Sequence, residues 1–269
     1  DQYASLLEGY KGIAKLTEGT DITLNAMIVP TAVNIYSKKL PFGAVKGDQK
    51  AFLTQLQSDL AASGINWIDL SEPFAACDKA TQLYYRTDHH WTSDAALLAY
   101  QTYNKTLGLN DSTTYSKKIL SDSFKGTLSA SSGLRTSETD EIYAYLPDQA
   151  TDYTVSLTAE NTKSASVFDV QSLSTKSQYN VFFGGNHPEV VIDSASESKK
   201  VLMVFKDSYA NCFVPFLIPD YARIIMIDPR YYTEDISETI QSNGVTDILF
   251  LYNANTAAED HSLYQLTAQ

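Results

Sequence analysis

Three short apolar runs in the C-terminal third, VLMVF (201–205), ARIIMID (222–228) and TDILFLYN (246–253), limit the possible folds most strongly. A strand with one face in water alternates apolar and polar residues, whereas a run that is apolar throughout must be covered on both faces. Between the second and third runs lies TEDISETIQSNG (233–244), an amphipathic helical pattern that ends at Asn243-Gly244. Buried strands alternating with helices require a parallel sheet with helices on either side, so the fold class read here is α/β.

The N-terminal half keeps the same rhythm. The chain opens on an amphipathic pattern, DQYASLLEGYKGIAKL, and NAMIVPTAVNIY (25–36) reads as a buried strand that Pro30 turns into a loop. In GDQKAFLTQLQSDLAASG (47–64), Phe52, Leu53, Leu56 and Leu60 recur at helical spacing, with Asp48 placed to cap and Gly64 to end the helix. INWIDL (65–70) then completes a βαβ unit. LYYR (83–86) reads as a short or edge strand, and TDHHW (87–91) falls on the loop after it. The next helix is capped by Thr92 or Ser93 and faces Ala95, Leu98 and Ala99 inward. Residues 105–180 differ: Ser, Thr, Asp and Lys surround alternating runs such as EIYAYL (141–146) and DYTVSL (152–157), which predict a small antiparallel β insertion within a single domain spanning 1–269.

Charge narrows the partners. With 20 Lys and Arg against 32 Asp and Glu, net −12, the chain lacks the cationic excess that neutralises phosphates, so nucleic acid is excluded as a partner. No basic run stands out, which also speaks against anionic membrane surfaces. The 18 Tyr against 2 Trp suit either carbohydrate contact or half-buried strand positions. Cys77 and Cys212 are the only cysteines; they are compatible with one disulfide in an oxidising compartment or with two free thiols. No run approaches the ~18 apolar residues of a membrane span. The start has neither an initiator Met nor a signal-peptide pattern, and reads as a mature or trimmed fragment whose leader or anchor is out of view.

Chemistry concentrates in two segments. In VLMVFKDSYAN (201–211), Ser208 falls where a buried strand turns toward a helix, at the sheet edge where α/β proteins bind ligands. Helix N–H groups there favour developing negative charge, so Ser208 reads as a nucleophile whose own N–H joins an oxyanion site; taken alone, a serine at this junction is more often a helix N-cap. A serine hydroxyl needs a base, and the base needs an acceptor that fixes its tautomer. Asp88 and His90, two positions apart in an extended loop, project to the same side, with His89 turned away. FFGGNHP (182–188) adds Gly185, where backbone can approach a substrate, and Asn186, an amide donor for an oxyanion; the alternative is a plain turn with Asn186 in a left-handed conformation. Asn253 and Asn255, at the end of the last strand, are rival donors or ordinary turn residues. Ser123, Ser129 and Ser132 read as loop residues and Arg230 as a salt-bridged structural arginine.

TDHHWT ahead of an Ala-rich helix, with FKDSYAN far downstream, resembles the DHHW family, which is similar to the SGNH-type alginate O-acetyltransferase group. MIVPTAVNIYSKKLP, GTLSASSGL, VFFGGNHPEV and IDPRYY extend the resemblance from about Ile28 to Tyr252. It implies a permuted, flavodoxin-like three-layer SGNH domain in which Asp88 orients, His90 acts as base and then acid, and Ser208 attacks an acyl carbonyl. It further implies an extracytoplasmic esterase or acetyltransferase for a cell-envelope or exported glycan, with no cofactor or metal, and a membrane-bound O-acyltransferase as acyl supplier. Two departures stand out: Lys206 replaces the Gly of Gly-Asp-Ser, and Asp and His are spaced by two rather than three.

Two other readings compete. Asp-His-His with a later GGNH imitates manganese phosphoesterases, but those need further ligands and no histidine precedes His89. A polysaccharide-binding scaffold with an SGNH fold needs no turnover. Retention of Ser208, His90 and Asp88 favours the enzyme. A neutral His90 is required for it, so activity should fall on acidification.

Overall fold

A computed structural model describes residues 2–109, 113–133 and 137–268; Leu134, the last residue of GTLSASSGL, lies outside them. The described residues form ten strands: β1 (Thr23–Val29), β2 (Asn66–Trp67), β3 (Tyr115–Phe124), β4 (Asp140–Pro147), β5 (Tyr153–Leu157), β6 (Thr162–Ser164), β7 (Glu189–Ser194), β8 (Val201–Lys206), β9 (Arg223–Ile227) and β10 (Asp247–Asn253). The main sheet runs β2-β1-β10-β8-β9-β7-β5-β6, and β3 pairs with β4 alone. The pairs from β2 to β9 are parallel, whereas β7, β5 and β6 add on antiparallel.

Alternate residues of the apolar strands feed two cores. Ala26, Ile28, Met203, Phe205, Ile225, Ile227, Ile248 and Phe250 pack under the helices Gln2–Leu16, Gln49–Ala61 and Ile236–Ser242. Met27, Val29, Leu202, Val204, Ile224, Met226, Leu249 and Leu251 pack on the other face with Trp91, Ala95, Ala99 and Phe213. This is the α/β architecture, with a separate antiparallel pair, that the apolar runs demand.

Several local expectations change. INWIDL contributes only the two residues of β2, and LYYR makes a single bridge between Tyr84 and Trp91 rather than a strand. The 105–180 segment divides: β3–β4 stand apart, whereas β5–β6 extend the main sheet through β7. After β8 only one α-turn forms, Ala210–Phe213, and Pro215 lies in the 3-10 turn Val214–Leu217 that follows. The helix Ser93–Leu107 is capped by the Thr92 hydroxyl and ends on left-handed Gly108; Ala95 and Ala99 are fully buried and Leu98 only partly. Most tyrosines enter the core, with only Tyr231 and Tyr264 among the well-exposed large residues. Both cysteines are free thiols, and burial pushes Cys212 up to about 12. Among the described residues no helix is long and apolar enough to cross a membrane.

Candidate active site

The loop 83–92 is folded back on itself, with Thr92 N–H donating to Leu83 O at 2.9 Å and Tyr85 N–H to His90 O at 3.2 Å. Its far side hangs from the small sheet. Asp140, the first residue of β4, accepts from Arg86 N–H, Thr87 N–H and the Thr87 hydroxyl, the last two at 2.7 Å. The antiparallel pair thereby fixes the turn that carries Asp88 and His90. Trp91 is fully buried and donates its indole N–H to Tyr209 O at 2.9 Å, locking this turn to the one after β8.

These constraints bring Asp88, His90 and Ser208 together. Asp88 Oδ1 lies 2.5 Å from His90 Nδ1, and His90 Nε2 lies 2.7 Å from Ser208 Oγ. A carboxylate only accepts, so Nδ1 carries the proton and Nε2 is left to accept the serine's. Oδ1 also accepts from His90 N–H at 2.9 Å, and Oδ2 from Thr127 N–H at 2.8 Å and the Thr127 hydroxyl at 3.1 Å. Burial works to raise the Asp88 carboxyl, but the hydrogen bonds and charge of His90, with the Thr127 N–H, hold it well below the usual carboxylate range.

His89 does not turn away. Its ring lies 3.9 Å from that of His90 and its Nδ1 is 2.7 Å from the Thr127 hydroxyl. Burial, then the neighbouring His90, lowers its pKa. Tyr179 also packs on the His90 ring, centroids 3.7 Å apart and planes within 10°, while its hydroxyl donates to Ser208 O at 3.3 Å. Nothing around Tyr179 in the sequence marks it.

Ser208 is not a cap. The turn is closed by Asp207, whose Oδ1 accepts from Tyr209 N–H at 2.8 Å and whose Oδ2 accepts from Asn253 N–H at 2.9 Å and Asn253 Nδ2 at 2.5 Å. Asn253 is thereby consumed as a brace, since its Oδ1 caps the helix Ala254–Glu259. Asn255 is the first N–H so capped, and its exposed side chain lines a cavity of about 420 Å³ beside Thr31 and Phe52, whose lining does not include Ser208. Neither asparagine hydrogen-bonds to Asp88, His90 or Ser208. The N–H groups of Ser208 and Asn186 have no acceptor among the described residues.

Lys206 explains its own departure from glycine. It is fully buried, donating to Asn186 Oδ1 and Asn211 Oδ1, each at 2.9 Å, with Asp228 Oδ2 at 3.7 Å. Burial pulls the ammonium down to about 8 against the opposing pull of Asp228 and Asp207. Arg230 grips Asp228 with two hydrogen bonds, 2.8 and 2.6 Å, a structural role. Asn186 is therefore held by its oxygen, which also accepts from Asn211 Nδ2, while its amide nitrogen has no acceptor among the described residues. The left-handed residues of this turn are Phe183, Gly184 and Gly185 rather than Asn186. Gly185 is buried, and its carbonyl accepts from Asn211 Nδ2 at 3.2 Å. His187 bridges Glu160 and the Phe183 carbonyl.

Asp88, His89 and His90 each offer a ligand atom within 4.8 Å of the others, a group with metal-binding potential. His187 of the GGNH segment is not part of it, and the additional ligands that a manganese phosphoesterase needs are not among the group.

The family described as "SGNH hydrolase-like domain, acetyltransferase AlgX" matches residues 5–176. No curated protein sequence matches the chain. Among solved structures, a DHHW family protein from Eubacterium siraeum superposes with a TM-score of 0.81 at 24% identity, covering 97% of this chain and 88% of that one. Bacillus cereus PatB1 with a sulfonyl adduct gives 0.80 at 21% identity, covering 98% and 91%. The O-acetyltransferase domain of Pseudomonas putida AlgJ gives 0.60 at 13% identity, covering 99% and 91%. At these identities the likeness is one of fold.

Proposed function

The chain belongs to the SGNH hydrolase-like family of the acetyltransferase AlgX, and from that premise we propose that it is a serine-dependent acyl transferase or esterase acting on a cell-envelope or exported glycan. The observation that carries this reading is the unbroken relay from Asp88 through His90 to Ser208, at 2.5 and 2.7 Å.

In the proposed reaction Ser208 Oγ attacks the acyl carbonyl while His90 Nε2 takes the hydroxyl proton. Asp88 stabilises the imidazolium through Nδ1, and the stacked Tyr179 ring offers its π face to the same cation. The tetrahedral oxyanion is met by the Ser208 N–H and by the amide of Asn186, held in place by Lys206. The intermediate collapses, His90 returns the proton to the departing oxygen, and an acyl-Ser208 ester remains. In the second half His90 deprotonates a sugar hydroxyl, which takes the acyl group, or water, which hydrolyses it. Acetyl is the acyl group in view, since AlgJ and AlgX are named as acetyltransferases. The reading places the domain outside the cytoplasmic membrane, where a membrane-bound O-acyltransferase would supply the acyl group.

The test is hydrolysis of para-nitrophenyl acetate by the wild type and by Ser208→Ala, followed by mass spectrometry of candidate glycans incubated with an acetyl donor. Slow hydrolysis abolished by the substitution supports the serine, and gain of acetyl on sugar marks transfer. Equal rates from both proteins would remove Ser208 from the mechanism.

A further inference from the structure

Between β1 and the helix Gln49–Ala61 the chain extrudes Leu40-Pro41-Phe42-Gly43-Ala44-Val45. Phe42 and Val45 are exposed at 109% and 100%, as fully as side chains in an open peptide. The base of this excursion is fixed. Thr31 N–H donates to Gln49 Oε1 at 3.0 Å, Gln49 Nε2 donates to Thr31 Oγ1 at 3.1 Å, and Tyr36 accepts from Leu83 N–H at 3.0 Å. A tethered base holds an apolar tip out in water, where two large side chains gain nothing from the fold.

Charge around the tip runs opposite to the chain as a whole. Exposed Lys38 and Lys39 precede it, exposed Lys46 and Lys50 follow, and Asp48 is the only acid in this stretch. Four cations against one anion stand out in a chain of net charge −12; residues 40–45 separate them in sequence, so they form no basic run, and the expectation against anionic membrane surfaces is reversed at this tip. The location is also specific. β1, β10 and β8 are parallel, so the loop after Val29 leaves the same sheet edge as Ser208 after Lys206. Other exposed apolar side chains share that edge: Val33, Leu128 beside the Thr127 that holds Asp88, and Tyr231 beyond β9.

An apolar tip ringed by lysines matches the boundary of a bilayer. Phe and Val reach the acyl-chain level, while lysine stems follow and their amines stay with lipid phosphates. Anionic headgroups supply the complementary charge. A protein partner would need a shaped surface against which a broad patch packs, and two side chains on a narrow tip bury too little area for that. We propose that residues 38–50 dock the domain reversibly on an anionic lipid surface, with the edge that carries Ser208 turned toward it. The proposal stands on exposure and charge, independently of the acyl-transfer reading.

The experiment is co-sedimentation of the full chain with vesicles of phosphatidylglycerol and phosphatidylcholine, and with phosphatidylcholine alone, at low and high salt. The variants are Phe42→Ser with Val45→Ser, and Lys38, Lys39, Lys46 and Lys50 each→Gln; circular dichroism checks their folding. The expected result is binding to the anionic vesicles that weakens with salt and falls about tenfold or more in each variant. Three results overturn the proposal. One is no binding of the wild type to anionic vesicles. Another is undiminished binding by the Phe42→Ser/Val45→Ser protein, which reduces the effect to diffuse charge attraction. The third is vesicle binding by the wild type only when a membrane protein is embedded, which assigns the loop to a protein partner.

Discussion

Gly126 packs so closely on Asp88 that a single methyl group there tests the role proposed for Asp88 in orienting His90. A Cβ at position 126 would lie 2.2 Å from both Asp88 Cβ and Asp88 Oδ2, where ordinary contact begins near 3.4 Å. The backbone of Gly126, at φ −89°, is one that alanine adopts freely, so strain in the chain itself is not the obstacle. Gly126→Ala must therefore move the carboxylate by about 1 Å, breaking the 2.5 Å contact with His90 Nδ1. A displacement of that size costs on the order of 100-fold in turnover, or about 2.7 kcal/mol of barrier. Overpacking adds roughly 1–3 kcal/mol of destabilisation, which lowers Tm by a few degrees in a domain of this size. The assay is kcat/KM for para-nitrophenyl acetate with a parallel thermal melt. Wild-type turnover from a folded Gly126→Ala protein would refute the role given to Asp88.

Asp88→Asn should cost roughly 1,000-fold or more in kcat, because an amide cannot satisfy His90 Nδ1 and Thr127 N–H together without reversing the imidazole tautomer; retention within about tenfold would contradict this. The same pair of proteins reports on pH. A carboxyl held low in the fold stabilises above the unfolded value near ~3.9 and loses that contribution as pH falls toward the folded one, so the melting difference should be flat from about pH 5 to 7 and shrink in acid. Tyr179→Leu should lower kcat by roughly 3- to 30-fold with KM little changed, while Tyr179→Phe keeps the ring on His90 and most of the rate. Lys206→Met should destabilise by about 1–3 kcal/mol and reduce turnover, since Asn186 Oδ1 loses one of its two donors and keeps only Asn211 Nδ2; chemical denaturation and initial rates check both.

What could be read from the chain divides by the range of the interactions involved. The apolar runs at β8, β9 and β10 declare a sheet buried on both faces because each residue's environment is fixed by its own strand. Antiparallel β5 and β6 do not declare which sheet they join, since alternation gives the pattern of one face and not the identity of the neighbour. That Asp88, His90 and Ser208 come together was legible through short motifs. The parts of Thr127, Gly126, Asp140 and Tyr179 in holding them were not, because these residues meet Asp88, His90 and Ser208 only through tertiary contacts; GTLSASSGL marked Gly126 and Thr127 without a role, and nothing marked Asp140 or Tyr179. Lys206 was visible as a misfit to Gly-Asp-Ser, yet only its buried partners reveal what it does. Asn253 carried the right chemistry at the right edge but spends it on Asp207 and a helix cap.

The proposed proton transfer from Ser208 to His90 is tested most directly by an arylsulfonyl fluoride; a structure of Bacillus cereus PatB1 carries a sulfonyl adduct. Attack by Ser208 Oγ forms the sulfonyl ester, fluoride departs and His90 takes the proton. Peptide mapping by mass spectrometry should find one sulfonyl group, on Ser208, with labelling abolished in Ser208→Ala and strongly slowed in His90→Gln. An unmodified Ser208 in a protein labelled elsewhere, or labelling of Ser208 at the same rate without His90, would contradict the account.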